Sequence, residues 1–240
     1  LDALRCRNEF AQKSMDDCSW LGFKWNEGPD IGGAHGPYIQ SQRIPYYLEI
    51  WRKLHATGLI YPCDKSRKDV ERALVAPHAE DEIEPVFPIE LRPDVNHGRN
   101  DSEPRNKNWR FRIPVGEEIK FNDYKQGAQS FTAGKDFGDF IIWRKDGFPS
   151  YELAVVADDH AMKITEVVRG ADLLLSTARQ ILLYRALNWT APNWVHVPLV
   201  TDAHGQLLAK RTQGLSVQEL REKGVTAEAV LTAPLKSLLS

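Results

Sequence analysis

The sequence predicts an α/β protein with an open sheet, and three features of its second half support this prediction. Residues 153–157 form an apolar run typical of a buried strand, and residues 164–168 form a second one. An amphipathic helix follows from Ser176. Polar side chains stand at the ends of both runs, Asp158–Asp159 after the first and Arg169 after the second. Because open α/β sheets bind ligands beyond the carboxyl ends of their strands, these side chains mark a candidate binding site.

The other elements follow from periodicity and from turn residues. Helical spacing predicts helices over residues 8–22, 45–56 and 67–74, one that begins at Ser216 with a capping box to Glu219, and a short one from Thr226. Alternating or continuous apolar residues predict strands at residues 59–61, 109–113, 119–123, 140–143 and 194–200. Charge runs and polar stretches over residues 64–108 are typical of an inserted region.

Composition limits the class of protein. With 42% hydrophobic and 27% charged residues, the chain resembles an ordinary globular protein that can bury a core. No apolar run approaches the ~18 residues of a membrane helix, so we expect no membrane partner. The three cysteines, Cys6, Cys18 and Cys63, make no disulfide framework and favour a cytoplasmic location. A net charge of −2 neither indicates nor excludes a nucleic-acid partner.

Residues 151–180 carry a family resemblance. They read YELAVVADDHAMKITEVVRGADLLLSTARQ and resemble the second half of the catalytic domain of class I glutamyl-tRNA synthetases. The similarity is greatest to the short paralogues, the glutamyl-queuosine tRNA(Asp) synthetases, with the pattern Y-x-L-A-V-V-x-D-D, T-x-V-V-R-G-x-D-L and S-T-x-R-Q-x-x-L-Y. The resemblance extends back through residues 138–141, 109–112, 41–43, 36–38 and 5–7.

The resemblance implies a class I synthetase fold. It predicts a Rossmann-like catalytic core formed by residues 1–60 and 151–200, with a mixed α+β insertion over residues 61–150 that would contact the tRNA acceptor end. Residues 201–240 would hold the family's K-M-S-K-S-like loop and carboxyl-terminal helices. The 30 residues after Lys210 leave no room for a helical anticodon-binding domain, which favours the short paralogue.

Tyr151 and Arg169 are the predicted glutamate-binding residues. On spacing alone, a tyrosine and an arginine at strand ends are more often packing and surface residues. The resemblance implies that both touch the bound glutamate, and a guanidinium suits a carboxylate through paired charge-assisted hydrogen bonds. Asp158 and Asp159, as neighbours on a strand, would point to opposite faces and form no catalytic pair. One would hold the site and the other would bind backbone, while Asp172 would be structural.

Lys210 is the predicted catalytic and ATP-binding residue. Residues 207–211, LLAKR, stand where the family carries its K-M-S-K-S-like loop, and Lys210 keeps the charge that matches the motif. A lysine there neutralises charge as pyrophosphate leaves the α-phosphate. The implied cofactors are ATP as substrate and Mg²⁺ with the ATP.

No zinc site is predicted. Cys63 occupies the position of the first zinc ligand in relatives, but Lys65 replaces the second, and residues 87–92 lack the remaining ligands. A single thiolate cannot make a tetrahedral zinc site. Asn108, Trp109, Arg110 and Arg112 would either contact an acceptor stem or form a strand with alternating faces, two alternatives that stay open.

The family's other signature, resembling H-I-G-H, has no counterpart in this sequence. The resemblance implies that about 40 residues of the fold would precede Leu1. A sheet without its first strand leaves unpaired backbone, so the chain by itself is expected to be poorly active.

The predicted function is an ATP-dependent ligase that activates glutamate and transfers it to tRNA, most specifically to the queuosine base of tRNA(Asp). The alternatives are a fragment of a glutamyl-tRNA synthetase and a catalytically inactive paralogue that binds tRNA or the amino acid. Glutamate, ATP and tRNA are the expected partners of a monomeric protein.

Overall fold

The computed structural model describes residues 8–65, 86–199 and 216–232. The chain divides into two compact units, one of residues 37–197 and the other of residues 1–36 with 198–240. In the ranges that the structure describes, no helix has the length and apolar character needed to cross a membrane.

Helices and strands are mixed along the described chain, and they alternate only over residues 140–197. The helices are α1 (Asn8–Trp20), α2 (Ile44–Thr57), α3 (Tyr151–Ala161), α4 (Leu174–Ala186), α5 (Val217–Glu222) and α6 (Ala227–Thr232). The strands are β1 (Ile60–Cys63), β2 (Asn108–Phe111), β3 (Glu118–Asp123), β4 (Gly127–Thr132), β5 (Phe140–Trp143), β6 (Glu166–Gly170) and β7 (Asn193–Val197). Short 3-10 helices lie at Gln40–Gln42, Ile89–Leu91 and Ala171–Leu173.

The described strands of the larger unit form two sheets. The first is antiparallel, in the order β1-β2-β5. The second has the order β4-β3-β7-β6, in which β6 and β7 run parallel and β3 and β4 form an antiparallel hairpin. Strand β3 joins β7 in parallel through one residue pair, Asp123 and Trp194. The hairpin therefore extends the sheet that contains Arg169.

Helix α2 has the boundaries that its sequence indicates. Pro45 lies in its first turn, where the missing N–H costs nothing, and Gly58 ends it in the left-handed conformation with φ 76°. Its apolar face is buried, and Trp51 meets Trp109 of β2 edge-on, with ring centroids 4.8 Å apart. This face joins α2 to the antiparallel sheet.

The predicted strand at residues 153–157 is wrong, because these residues lie within helix α3. Ser150 caps the helix, its Oγ accepting a hydrogen bond from the Leu153 amide at 3.4 Å. Helix α3 packs against α2, α4 and β5, so apolar residues cover most of its surface and no polar face reveals the helical period. A short apolar run of this kind is compatible with either a buried strand or a buried helix.

The other predictions for the described residues agree with the structure. Helices α1, α2, α4, α5 and α6 and strands β1, β2, β3, β5, β6 and β7 fall where the sequence places them, within a few residues. Ser216 and Glu219 form the predicted capping box. The predicted helix at residues 67–74 and the loop at 207–211 lie outside the described residues. The division into core, insertion and carboxyl-terminal segment stays a prediction.

Candidate substrate-binding site

Two neighbouring strands end side by side in the four-stranded sheet. In the parallel pairing of β6 with β7, Arg169 lies opposite His196. The sequence predicts such an edge, with Arg169 at the end of one strand, but β7 replaces residues 153–157 as the other strand. The carboxyl ends of parallel strands in an open sheet are a common position for a binding site.

The Arg169 guanidinium contacts neutral acceptors. Its Nε donates to Nε2 of His196 at 3.0 Å, and its Nη2 donates to Oγ1 of Thr177 at 2.6 Å. A longer contact of 3.5 Å joins Nη2 to the carbonyl oxygen of Leu173. Among the described residues, no carboxylate lies within ion-pair distance of this guanidinium, and Nη1 has no hydrogen-bond partner. The site therefore holds a partly buried positive charge that lacks a paired anion.

Nearby carboxyl groups do not neutralise that charge. Burial raises the pKa of Glu152, although hydrogen bonds from Ser176 and Gln180, both 2.8 Å long, and the charge of Arg179 oppose the rise. Burial, followed by the charge of Asp158, raises the pKa of Asp159 to about 6, against the opposing charge of Arg169. Glu152 is thus engaged by α4, while Asp159, which is mostly ionised at neutral pH, lies beyond ion-pair distance of the guanidinium. An anionic ligand fits this electrostatic environment.

His196 and Asp123 form a hydrogen-bonded chain that ends at Nε of Arg169. The His196 ring is fully buried, and its Nδ1 lies 2.7 Å from Oδ2 of Asp123. Burial alone would raise the pKa of the Asp123 carboxyl. Hydrogen bonds from the His196 side chain and from the backbone amides of Gln126, His196 and Lys125 outweigh burial and lower that pKa to about 2. Asp123 is therefore an ionised acceptor at neutral pH.

Tyr151 is the first residue of α3, and 48% of it is exposed. No hydrogen bond joins it to Arg169 among the described residues. The charge of Arg169 acts on the next residue, Glu152, whose carboxylate accepts a hydrogen bond from Ser176 of α4. The first turn of α3 therefore lies within electrostatic range of the guanidinium. The pairing of Tyr151 with Arg169 around one ligand stays a prediction.

Asp158 anchors α3 to the chain before it. Its carboxylate forms an ion pair with Nε of Arg43 at 2.7 Å and accepts hydrogen bonds from the Tyr47 hydroxyl at 2.9 Å and the Gln40 amide at 2.9 Å. Because Asp158 lies on a helix, the opposite-face argument for a strand does not apply. These contacts hold α3 against residues 40–47, and the expected role of one carboxylate in holding the site stays a prediction. Asp159 makes no side-chain hydrogen bond to backbone among the described residues.

The remaining predicted residues lie away from this cluster or outside the described ranges. Cys63 packs in a buried group with Tyr61, Phe87 and Leu91. The described residues contain no cluster of histidine, cysteine, aspartate and glutamate able to hold a metal, and the expectation of no zinc stays a prediction. Asp172 lies in the exposed turn before α4. Lys210 is outside the described residues.

The arginine side chains of and after β2 make contacts within the protein. Arg110 donates to the Asp139 carbonyl oxygen at 2.7 Å and lies over the Phe87 ring, 4.2 Å from its centre. Arg112 donates to the Pro93 carbonyl oxygen at 3.3 Å. Of the two alternatives left open by the sequence, the strand is observed, and Trp109, Arg110 and Phe111 are all buried instead of alternating.

The sequence interpretation did not identify Asp123, His196 or Thr177 as members of the site. One signal was available, because a histidine in the apolar run WVHVPLV is a polar group in a buried strand and needs a partner. That partner, Asp123, is 73 positions away along the chain. No local pattern could have connected the two.

Comparison with known proteins identifies the fold and the family. Residues 2–236 match the family described as tRNA synthetases class I (E and Q), catalytic domain. The chain is 41% identical over 234 residues to a glutamyl-Q tRNA(Asp) synthetase of Symbiobacterium thermophilum, covering 96% of this chain and 72% of the relative. A protein of the same name from Nitratidesulfovibrio vulgaris is 43% identical over 229 residues, covering 95% of this chain and 70% of the relative.

A solved structure agrees with the sequence relatives. The crystal structure of a glutamate tRNA ligase from Elizabethkingia meningosepticum in complex with its amino acid superposes with a TM-score of 0.69 at 27% identity. The match covers 93% of this chain and 45% of that one, so the chain spans about half of the solved ligase. The chain belongs to the class I tRNA synthetases of the glutamate and glutamine group, and the predicted Rossmann-like class I synthetase fold is confirmed.

Proposed function

We propose that the protein activates glutamate with ATP and transfers it to tRNA, with the queuosine base of tRNA(Asp) as the acceptor. The structural observation that carries the proposal is the Arg169 guanidinium, which contacts neutral acceptors and has an unengaged Nη1 among the described residues. An amino acid with a carboxylate side chain supplies the missing anion. The relatives from Symbiobacterium thermophilum and Nitratidesulfovibrio vulgaris, of which the chain covers 72% and 70%, bear the name glutamyl-Q tRNA(Asp) synthetase, which favours the queuosine acceptor.

The chemistry assigns different tasks to the two carboxylates of glutamate. The α-carboxylate attacks the α-phosphorus of ATP in line, forming glutamyl-adenylate and releasing pyrophosphate. The acyl group then passes to a hydroxyl on the tRNA, and AMP leaves. Since the α-carboxylate must remain free to react, the side-chain carboxylate is the group suited to Arg169. A neutral glutamine amide at that position leaves the charge unpaired, so the site favours glutamate.

The protein contributes alignment and charge neutralisation to this reaction. Arg169 holds the side-chain carboxylate, and the exposed Tyr151 hydroxyl orients the amino acid. Lys210 contacts the phosphates, and the Mg²⁺ that accompanies ATP neutralises part of their charge. The roles of Tyr151 and Lys210, the monomeric state and the cytoplasmic location remain parts of the proposal.

The proposal is tested by Arg169→Lys in glutamate-dependent ATP–pyrophosphate exchange. Lysine keeps the charge but cannot donate from Nε to His196 and present a second nitrogen at the same time. Losing a charge-assisted hydrogen bond to substrate raises KM for glutamate about 10- to 100-fold. KM for ATP is expected to stay within about twofold, because the nucleotide does not depend on this contact.

Arg185→Lys is the matched control, because Arg185 lies on the exposed end of α4 in an ion pair with Glu117. Its glutamate KM is expected to equal that of the unsubstituted protein. An unchanged glutamate KM in Arg169→Lys contradicts the assignment. Charging of tRNA(Asp) that contains queuosine, but not of tRNA(Glu), supports the proposed acceptor. Glutamate binding by calorimetry without exchange, in a protein that also carries the family's H-I-G-H-like segment, indicates the inactive paralogue.

A further inference from the structure

The hydrogen-bond geometry around His196 assigns its tautomer. Arginine nitrogens only donate, so Nε2 of His196, at 3.0 Å from Nε of Arg169, must present its lone pair. The proton of the neutral ring therefore sits on Nδ1 and is donated to Asp123 at 2.7 Å. An ionised carboxylate accepts only, which selects this tautomer.

Thr177 fixes the other side of the guanidinium. Its Oγ1 accepts from Nη2 of Arg169 at 2.6 Å and donates to the Leu173 carbonyl oxygen, one turn earlier in the chain, at 3.2 Å. Arg169 is thus held at Nε by β7 and at Nη2 by α4. Two separate elements define the orientation of the guanidinium plane, and Nη1 is left as the free end among the described residues.

We propose that Asp123, His196 and Thr177 are positioning residues that aim Nη1 of Arg169 at the substrate carboxylate. The inference rests on the proposed function, in which Arg169 binds the glutamate side chain. None of the three touches the ligand in this scheme. Asp123 acts through the His196 tautomer, and Thr177 acts through the Nη2 contact. Groups that orient a primary ligand-binding residue commonly change affinity about 10- to 100-fold when altered, as they do around metal ligands.

Asp123→Asn tests the tautomer. The asparagine amide can donate to Nδ1, which moves the histidine proton to Nε2. Two N–H groups then face each other, and the hydrogen bond from Nε of Arg169 to His196 is lost. Nitrogen NMR of histidine-labelled protein is expected to give the Nδ1–H tautomer in the unsubstituted protein and a loss of that signal pattern in the variant. Glutamate KM is expected to rise about 10-fold or more, with the ATP KM unchanged.

Thr177→Val and Thr177→Ser form a matched pair that does not depend on the folding of Asp123→Asn. Valine keeps the shape of threonine and removes the oxygen, so we expect a raised glutamate KM. Serine restores the oxygen and is expected to return KM to within about threefold of the original. A purely structural role would lower the melting temperature without changing KM for glutamate.

The outcomes separate this inference from the proposed function. If Arg169→Lys raises the glutamate KM while Asp123→Asn and Thr177→Val leave it unchanged, the positioning role is overturned and the proposed function stands. If Arg169→Lys has no effect, the glutamate assignment fails, and the positioning role falls with it. An Nε2–H tautomer in the unsubstituted protein also overturns the inference.

Discussion

At the scale of single residues, the two adjacent carboxyl groups on α3 have opposite environments. The Asp158 carboxylate accepts hydrogen bonds from Tyr47 and Gln40 and forms an ion pair with the buried Arg43, whereas the Asp159 carboxylate has no hydrogen-bond partner among the described residues. Neighbours on a helix are turned about 100° from each other, so one faces α2 and the other does not. The sequence shows the pair, but only the helix explains why its members differ.

Asp158→Asn is expected to destabilise the protein by about 3 kcal/mol, because it removes one partner of a buried ion pair and leaves the Arg43 charge uncompensated. Urea unfolding followed by circular dichroism measures the effect. Asp146→Asn is the control, since the Arg144–Asp146 pair has the same residue types but both side chains are well exposed. That substitution is expected to change stability by less than about 1 kcal/mol. Equal effects of the two substitutions would contradict the anchoring role of Asp158.

The site was predictable from the sequence only in part. Arg169 came from the family resemblance, since an arginine after an apolar run is ordinary by spacing alone. Asp123, His196 and Thr177 come from three elements that meet only in the folded chain. Tertiary hydrogen bonds of this kind leave no periodic signal, although the buried histidine of β7 indicates that a partner exists.

At the scale of elements, patterns with two distinct faces were predictable and a uniformly apolar pattern was not. Helix α2 has a buried stripe and a polar side, so its period is visible. Helix α3 is buried where it meets α2, α4 and β5, and its five-residue apolar core resembles a strand. Its length and the capping Ser150 are the signals that favour a helix.

Just before β5, the backbone of Gly138 lies close to the backbone of Phe87. A Cβ added to Gly138 would lie 2.3 Å from the backbone nitrogen of the buried Phe87. Gly138→Ala is therefore expected to destabilise the larger unit by about 3 kcal/mol or more, since backbone must move. Thermal unfolding measures the loss.

Gly147→Ala serves as the comparison for Gly138→Ala. Gly147 has φ 90° with no atom within 4 Å of an added Cβ, so only backbone strain is introduced. Its expected cost is about 1 kcal/mol. If Gly138→Ala costs no more than Gly147→Ala, the close approach of Phe87 to Gly138 is incorrect.

At the scale of the whole molecule, the raised pKa of Asp159 makes folding stability depend on pH. The folded pKa of about 6 exceeds the unfolded value of about 3.9. The ionised carboxylate is therefore unfavourable in the folded state. This cost is fully present above pH 6 and is relieved as pH falls through about 6 and about 4, and near pH 3 both states are protonated.

Asp159→Asn is expected to raise the free energy of unfolding by about 1–3 kcal/mol at pH 8, after allowance for the partial exposure of the side chain. The gain is expected to become small near pH 4 and to vanish near pH 3. Urea titrations of both proteins across this range measure the difference. Asp172→Asn, at an exposed position, is the control and is expected to change the free energy of unfolding by less than about 0.5 kcal/mol. A constant gain for Asp159→Asn at all pH values would contradict the raised pKa.

A single residue pair between β3 and β7 connects the β3–β4 hairpin to the strand that carries His196. The β3–β4 hairpin lies within the range predicted as an insertion, yet the carboxylate at the end of β3 reaches the histidine that holds Arg169. Changes in the length of the outer strand β4 would leave the proposed amino-acid site intact, because β4 pairs only with β3 in the described sheet. A shift of one position in β3 would withdraw Asp123 from His196, and under the proposed function it would change substrate selection, so natural variation in this hairpin should be confined to its outer edge.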